Sequence, residues 1–269
     1  MNKLNEAVEF LRAKGITAPE VGIVLGTGLG NLATHIEVDR ALPYHEIPHF
    51  PLSTVEFHKG QLIYGKLAGK QVVAMQGRFH FYEGYSMEQI VFPVRVMKLL
   101  GIQQLLLSNA AGCMNLSWKK GDLMLINDHI NMQPSNPLIG NPYPELGPMF
   151  PDMSEPYSKK LGALALSIAK DRGIALNSGV YVSVPGPMLE TRAEYRYLRN
   201  IGADAVGMST VPEVIAANHM GLPCLAVSVL TDECDPDNLK PVDIADIIAT
   251  AGKAELKLSE LFIELLKKL

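Results

Sequence analysis

The chain has 269 residues, of which 48% are hydrophobic and 19% charged, and its formal net charge is −4. This composition is too apolar for a disordered protein, and its 23 glycines follow no three-residue period, which excludes a collagen-like chain. Because the 24 lysines and arginines form no basic block, we expect no nucleic-acid partner.

The cysteines and the N-terminal residues predict the cellular compartment of the protein. Cys113, Cys224 and Cys234 form no CxxC pair, which argues against a disulfide framework and against a structural zinc site. The N-terminus carries charges throughout, and no apolar run reaches about 18 residues, so we expect neither a signal peptide nor a membrane partner. The sequence predicts a cytoplasmic protein.

Helical and strand patterns alternate along the chain. Strands are predicted at 21–25, 62–64, 72–75, 104–108, 122–127, 179–184, 203–206 and 222–230. Helices are predicted at 4–14, 87–100, 158–172, 191–200, 214–220 and 243–267. Residues 131–157, rich in Pro, Asn and Gly, predict a long loop of the kind found at functional sites or interfaces. The order predicts a single α/β domain, residues 1–269, with a central mixed β-sheet flanked by helices.

The glycine-rich stretch GTGLG, residues 26–30, follows the first predicted strand. Glycines there let backbone N–H groups approach an anion, and Thr27 adds a hydroxyl donor. A dinucleotide fingerprint would need Gly or Ala at position 31, which is Asn31, so an oxidoreductase is disfavoured. A plain tight turn would show the same pattern.

A second stretch, QGRFHFYEGY at 76–85, also follows a strand. The guanidinium of Arg78 suits phosphate oxygens, His80 can bind an oxyanion or a hydroxyl, and Tyr82 offers a ring face and a hydroxyl. Strand-like alternation predicts that the three side chains share one side. The alternative is a surface arginine beside a histidine with ordinary structural partners.

Four more strand ends carry candidate groups. The small residues of SNAAG, 108–112, would let a ligand approach the backbone. Glu190 stands at a strand-to-helix turn, where it could equally be a favourable charge at a helix start. Ser209 could cap a helix or bind an anion, and Asp232 follows the most apolar strand as a candidate acid or base. The residues alone predict an enzyme acting on a polar small molecule together with phosphate or a phosphate group.

The motifs GTGLG, QGRFHFYEGY, SNAAG, PGPMLETRAEY and GADAVGMSTVPEV occur in this order across roughly residues 20–255. They resemble the motifs of the trimeric purine nucleoside phosphorylases. The resemblance implies the nucleoside phosphorylase fold, a homotrimer and a role in purine salvage. It implies reversible cleavage by inorganic phosphate of purine nucleosides such as inosine and guanosine, giving the base and (deoxy)ribose 1-phosphate. It implies no metal and no organic cofactor.

The resemblance also assigns roles to residues of this chain. Phosphate contacts are expected from Thr27, His58, Arg78, His80, the backbone of Ala110 and Ser209. Ribose and base contacts are expected from Tyr82, Asn109, Leu146, Leu189, Glu190, Val206, Met208, Thr231 and Asp232. The implied catalytic set is His80, Glu190 and Asp232, with Glu190 accepting hydrogen bonds from the purine N1–H.

The chain departs from the family pattern at three places. Many relatives specific for 6-oxopurines have Thr-Asn where this chain has Thr231-Asp232, and an ionised Asp232 would accept from a 6-amino group instead. The usual histidine at the ribose 5′-hydroxyl is absent, with Ile244 or Ala245 at its place, which would suit a 5′-methylthio group. Leu146 stands where relatives often have a phenylalanine that covers the sugar from the neighbouring subunit.

These departures leave an alternative open, a 5′-methylthioadenosine or adenosine-accepting phosphorylase. The stretch QGRFHFYEGY argues against it, because that version is the one found in the nucleoside phosphorylases. A nucleoside hydrolase would need no phosphate site, and a non-catalytic binding module would need no pair of carboxylates facing an anion site.

Overall fold

The computed structural model describes residues 1–27, 29–54 and 59–269. The strands of this part of the chain are β1 (Val21–Leu25), β2 (Glu37–Pro43), β3 (Gln61–Leu67), β4 (Lys70–Gln76), β5 (Gln104–Cys113), β6 (Leu123–Asn131), β7 (Leu176–Ser183), β8 (Ala205–Gly207) and β9 (Cys224–Glu233). The helices are α1 (Asn2–Ala13), α2 (Met87–Leu100), α3 (Lys159–Arg172), α4 (Arg192–Asn200), α5 (Val211–His219) and α6 (Ile244–Lys267). None of the helices in the described ranges is both long and apolar enough to cross a membrane.

All of these strands belong to one mixed sheet in the order β2-β3-β4-β1-β5-β8-β7-β6-β9. Strand β5 also pairs in parallel with β9, so β5, β8, β7, β6 and β9 close into a ring. Within the ring β6–β7 and β7–β8 are parallel, whereas β5–β8 and β6–β9 are antiparallel. The predicted α/β class with a mixed sheet is confirmed. The closure of five strands was not predicted.

Helices cover both faces of the sheet, which explains why its central strands are apolar on both sides. In β1 the side chains alternate between two hydrophobic clusters. Val24 packs in the cluster that contains residues of α1, α2 and α5. Ile23 and Leu25 pack in the cluster that contains residues of α3 and α6. The continuous apolar run in the sequence is therefore the signature of a strand buried on both faces.

The helix ends follow local signals. Ser86 accepts a hydrogen bond from the backbone of Gln89 at the start of α2, and Gly101 ends that helix with a φ of 119°. A side chain with a Cβ would be strained at such a φ, so glycine is the residue suited to this helix end. These caps explain why the predicted bounds of this helix, 87–100, match the structure.

Several strands were predicted too short, and one was missed. Strand β5 was predicted to end at residue 108 but runs to Cys113, and β9 was predicted to end at 230 but runs to Glu233. The two strands remain paired over this extension, so hydrogen bonding between them carries both past the apolar stretch. Strand β2 was missed because it is almost wholly exposed and shows no apolar pattern.

The sheet opens beside β5. Strand β1 pairs with β5 only as far as Leu107, and β8 joins the same strand only at Gly112. Between these points, residues 108–111 have no strand beside them on that edge among the described residues. A ligand-sized gap therefore lies in the middle of β5 rather than beyond its end.

Candidate active site

A cleft of about 180 Å³ occupies the gap beside β5. Its walls come from the ends of β1 and β4, the middle of β5, the turn before α4, β8 and the turn after it, the end of β9, and α6. The lining residues are Thr27, Arg78, His80, Tyr82, Asn109, Ala110, Ala111, Gly112, Leu189, Glu190, Tyr195, Val206, Gly207, Met208, Ser209, Thr231, Asp232 and Ile247.

Most side chains singled out in the sequence meet in this cleft. Those brought together are Thr27, Arg78, His80, Tyr82, Asn109, Ala110, Leu189, Glu190, Val206, Met208, Ser209, Thr231 and Asp232. His58 lies outside the described residues. The roles assigned to these residues by resemblance stay predictions.

The structure differs from expectation for two of the residues that the resemblance places near the ribose. The side chain that reaches the cleft from α6 is Ile247, one turn beyond Ile244, which is 53% exposed and begins the helix. Leu146 does not line the cleft of its own chain; it packs against the hydrophobic core from the loop before α3. Its predicted role across a subunit contact stays a prediction.

Arg78 is the central cation of the cleft and is only 1% exposed. Its Nε lies 2.9 Å from Oε1 of Glu213, and its Nη1 donates to the backbone oxygen of Ser108 at 2.7 Å and to Ser209 Oγ at 3.3 Å. Its Nη2 has no hydrogen-bond partner among the described residues. A buried N–H group without a partner is costly, so this edge of the guanidinium is suited to a ligand oxygen.

Glu213 was not predicted as a site residue. It lies in the first turn of α5, is 2% exposed, and stands in a helix whose neighbouring residues are buried and apolar. A single carboxylate in an apolar helix is a sequence signal for a buried charged partner, since such groups are rarely buried unpaired. Glu213 holds Nε of Arg78 in the cleft wall, and its own Oε2 likewise has no partner among the described residues.

Thr210 connects Arg78 to Asn109. Its Oγ1 accepts a hydrogen bond from Asn109 Nδ2 at 2.9 Å and one from Arg78 Nη1 at 3.4 Å. The backbone of Thr210 has a φ of 70°, which is rare for a β-branched residue and stores strain of the kind found at binding sites. No side chain caps α5 at this point, so the cap interpretation of Ser209 is not supported.

His80 is oriented by its own turn. Its Nδ1 lies 2.7 Å from Oε1 of Glu83, and its ring stacks on Tyr82 with centroids 4.6 Å apart. Burial alone would raise the pKa of Glu83, but hydrogen bonds from His80 and Thr54 hold that pKa below its ordinary value. The pair fixes the orientation of the His80 ring in the cleft wall.

Two carboxylates face each other at the opposite end of the cleft. Thr191 caps α4 by accepting from the backbone of Glu194, so the neighbouring Glu190 is not the cap and lies in the cleft wall. Desolvation raises the pKa of Glu190, and the negative charge of Asp232 raises it further. Asp232 is therefore close enough to influence the ionisation of Glu190.

The glycine-rich turn after β1 is held from two sides. A Cβ on Gly26 would lie 2.8 Å from the backbone oxygen of Ser108, so only glycine lets this turn approach β5. Glu255 of α6 accepts hydrogen bonds from the backbone N–H groups of Asn31 and Leu32, the latter at 3.1 Å. This buried glutamate was missed because its partners lie more than two hundred residues away.

The chain is similar to known proteins over nearly its whole length. Residues 20–267 match the Phosphorylase superfamily. A purine nucleoside phosphorylase of Geobacillus stearothermophilus is 51% identical over 252 residues, covering 94% of this chain and 92% of that protein. The purine nucleoside phosphorylase of Schistosoma mansoni in complex with adenosine superposes with a TM-score of 0.93 at 39% identity, covering 100% of this chain and 98% of that one. A Schistosoma purine nucleoside phosphorylase in complex with hypoxanthine gives 0.94 at 40% identity with the same coverage.

These matches extend over nearly the whole chain and agree with the motifs that line the cleft. The chain belongs to the phosphorylase superfamily and, within it, to the purine nucleoside phosphorylases.

Proposed function

We propose that the cleft catalyses the reversible phosphorolysis of purine ribonucleosides and deoxyribonucleosides such as inosine and guanosine. The observation that carries this proposal is the Nη2 group of Arg78, which is buried at the cleft and has no partner among the described residues. An inorganic phosphate oxygen satisfies that donor. Phosphate is here a substrate, and we propose that the reaction needs no metal and no organic cofactor.

Several hydrogen-bond donors line the part of the cleft that we propose binds phosphate. Arg78 supplies the cationic fork, Ser209 and Thr27 supply hydroxyls, and the open edge of β5 at Ala110 supplies backbone groups. Fixed donors at a developing charge stabilise a transition state without reorganisation, and they also hold the nucleophile in line with the bond to be broken.

In the forward reaction the C1′–N9 bond breaks and its electron pair leaves with the purine. The sugar becomes positively charged in the transition state, and a phosphate oxygen then forms the new C1′–O bond. The departing base needs a proton or strong hydrogen bonds at N7 and at its 6-substituent. Asp232 is proposed to serve that edge, while ionised Glu190 accepts from N1–H of a 6-oxopurine.

A second candidate is phosphorolysis of adenosine or 5′-methylthioadenosine. Asp232 accepts hydrogen bonds at both of its oxygens, which favours a base that donates, such as a 6-aminopurine. Ile247 is an apolar neighbour for a 5′-substituent. A solved relative contains adenosine, which supports the view that this fold accommodates a 6-aminopurine.

We further propose that the protein acts in purine salvage in the cytoplasm, as a homotrimer. The three cysteines are buried and free, which fits a reducing compartment. The exposed apolar side chains of Ile139, Met149 and Phe150 lie in the long loop before α3, where a contact between subunits would cover them.

The test is base release from the purified protein, with and without inorganic phosphate, on inosine, guanosine, adenosine and 5′-methylthioadenosine in parallel. We expect phosphate-dependent release from inosine and guanosine, with the sugar recovered as its 1-phosphate. Release without phosphate would indicate a hydrolase. A preference for adenosine or 5′-methylthioadenosine would favour the second candidate.

A further inference from the structure

Both oxygens of Asp232 accept hydrogen bonds from neighbours in the same strand end. Thr231 Oγ1 donates to Oδ1 at 2.9 Å, and Cys234 Sγ donates to Oδ2 at 3.1 Å. Thr231 and Cys234 are buried at 2% and 1% exposure, so neither donor has ready access to water. A carboxylate held by two donors has only acceptor capacity left for a ligand.

The Cys234 thiol lies among buried neighbours. Cys234 and Tyr195 belong to one small hydrophobic cluster, and Tyr195 is also 1% exposed. Desolvation raises the pKa of Tyr195, and the neighbouring Cys234 and Glu190 raise it further, so the hydroxyl lies near the thiol and stays protonated. Desolvation, together with the charge of Asp232, raises the pKa of Cys234, so this sulfur keeps its proton and stays a donor.

The backbone of β5 makes room for this contact. A Cβ on Gly112 would lie 2.6 Å from Cys234 Sγ and 3.3 Å from Asp232 Oδ2. The amide of Cys234 also donates to the backbone oxygen of Cys113 at 2.8 Å. A side chain at position 112 would displace the thiol, so glycine at this position of β5 leaves the space that the contact between Cys234 and Asp232 needs.

We propose that Cys234, supported by Tyr195, is a positioning residue that fixes Asp232 as a hydrogen-bond acceptor toward the purine. This inference rests on the proposed phosphorolysis, and for the choice of base it supports the second candidate, a 6-aminopurine nucleoside. A fixed acceptor favours the donating 6-amino group of adenine and N7–H of a departing base, whereas it repels the lone pairs of a 6-oxo group. Loss of the thiol frees Asp232 to rotate, which relaxes this preference.

The experiment measures preference between bases rather than activity alone. The dissociation constants of adenine and hypoxanthine are determined by calorimetry, and kcat/KM is determined for adenosine and inosine. For Cys234→Ala we expect affinity for adenine relative to hypoxanthine to fall about tenfold, the size expected when one hydrogen bond to a charged group is lost. Tyr195→Phe should shift the ratio in the same direction by a smaller factor.

Three comparisons separate positioning from a general loss of packing. Cys234→Ser keeps a donor and should restore the ratio of the unmodified protein. Cys224→Ala removes another buried thiol of β9, also 1% exposed, whose hydrogen bond goes to the backbone oxygen of Pro156, and it should leave the ratio unchanged. In an Asp232→Asn background, Cys234→Ala should add nothing.

An unchanged ratio in Cys234→Ala, or an equal change in Cys224→Ala, would overturn the proposal. So would a full effect of Cys234→Ala in the Asp232→Asn background. If Cys234→Ala does not fold, the variants Cys234→Ser and Tyr195→Phe test the proposal instead. An adenine-to-hypoxanthine affinity ratio that is unchanged in Tyr195→Phe but changed in Cys234→Ser would contradict it. A protein that binds bases but shows no phosphate-dependent cleavage would refute the proposed reaction while leaving the positioning role open to measurement by binding.

Discussion

Arg78 Nε and Glu213 Oε1 form a buried ion pair of 2.9 Å that joins the turn after β4 to α5. The pair fixes Nε of the guanidinium, while Nη2 has no hydrogen-bond partner in the described part of the chain. Each charge is removed from water, so each depends on the other for compensation. The position of Arg78, at the end of the cleft proposed to bind phosphate, therefore depends on α5 as well as on the motif that contains this arginine.

Replacing Glu213 should damage both stability and phosphate binding. Glu213→Ala leaves Arg78 buried without its counter-charge, and we expect a loss of about 3–5 kcal/mol in the free energy of unfolding. Glu213→Gln keeps the shape and should lose less stability while raising KM for phosphate. Denaturant unfolding and phosphate-dependent kinetics check this. Wild-type phosphate kinetics in Glu213→Gln would contradict it.

Arg78→Lys should reduce kcat/KM for phosphate roughly 100-fold, because a lysine cannot offer Nη2 while also meeting Glu213 and Ser108. The effect should be smaller on nucleoside binding, whose base contacts lie at the other end of the cleft. Arg172→Lys, at the C-terminal end of α3 with a half-exposed side chain, is the matched control and should behave as the unmodified protein. Equal kinetics of both variants would exclude Arg78 as the phosphate ligand.

The carboxylate pair predicts a specific pH dependence. The pKa of Glu190 is raised by desolvation first and then by Asp232, so Glu190 takes up a proton at a higher pH than an ordinary glutamate. Since only the ionised form accepts from N1–H, hypoxanthine affinity should fall as the pH drops through this raised pKa. Asp232→Asn removes the like charge and should move the midpoint to lower pH. Calorimetry across the acid range would show an unmoved midpoint if the coupling were absent.

Asp232→Ala should reduce kcat/KM for every accepted nucleoside by about 100-fold or more, because the departing base loses its acceptor at N7. Phosphate binding should be spared, since Asp232 lies at the base end of the cleft. Single-turnover kinetics separates the chemical step from binding. Unchanged kcat/KM would remove Asp232 from the mechanism.

Glu255 offers a test of the turn after β1. Glu255→Ala leaves the amides of Asn31 and Leu32 without their acceptor, and we expect a loss of about 1–3 kcal/mol in stability together with a higher KM for phosphate. Glu260→Ala, on the same helix with a half-exposed side chain, is the control and should change neither quantity. A stability loss without a change in KM would limit Glu255 to a structural role.

The sequence determined the elements and most of the cleft. Apolar periodicity and caps such as Ser86 and Gly101 act over a few residues, so helices and buried strands can be predicted from local sequence alone. The chemistry of Arg78, His80, Glu190 and Asp232 was also recognisable, because ligand sites in α/β sheets collect at strand ends.

Only the tertiary structure decided which groups meet. Arg78 and Glu213 are 135 residues apart in the chain, and no local pattern specifies such a pair. The closed ring depends on β5 pairing with both β8 and β9, which extends both β5 and β9 beyond their apolar runs and opens the cleft along the middle of β5. The partners of Asp232 follow from the same closure, because Gly112 of β5 lies against Cys234 at the end of β9. Long-range hydrogen bonding and burial, which sum over the whole fold, determine these contacts, whereas the sequence shows only the residues available to make them.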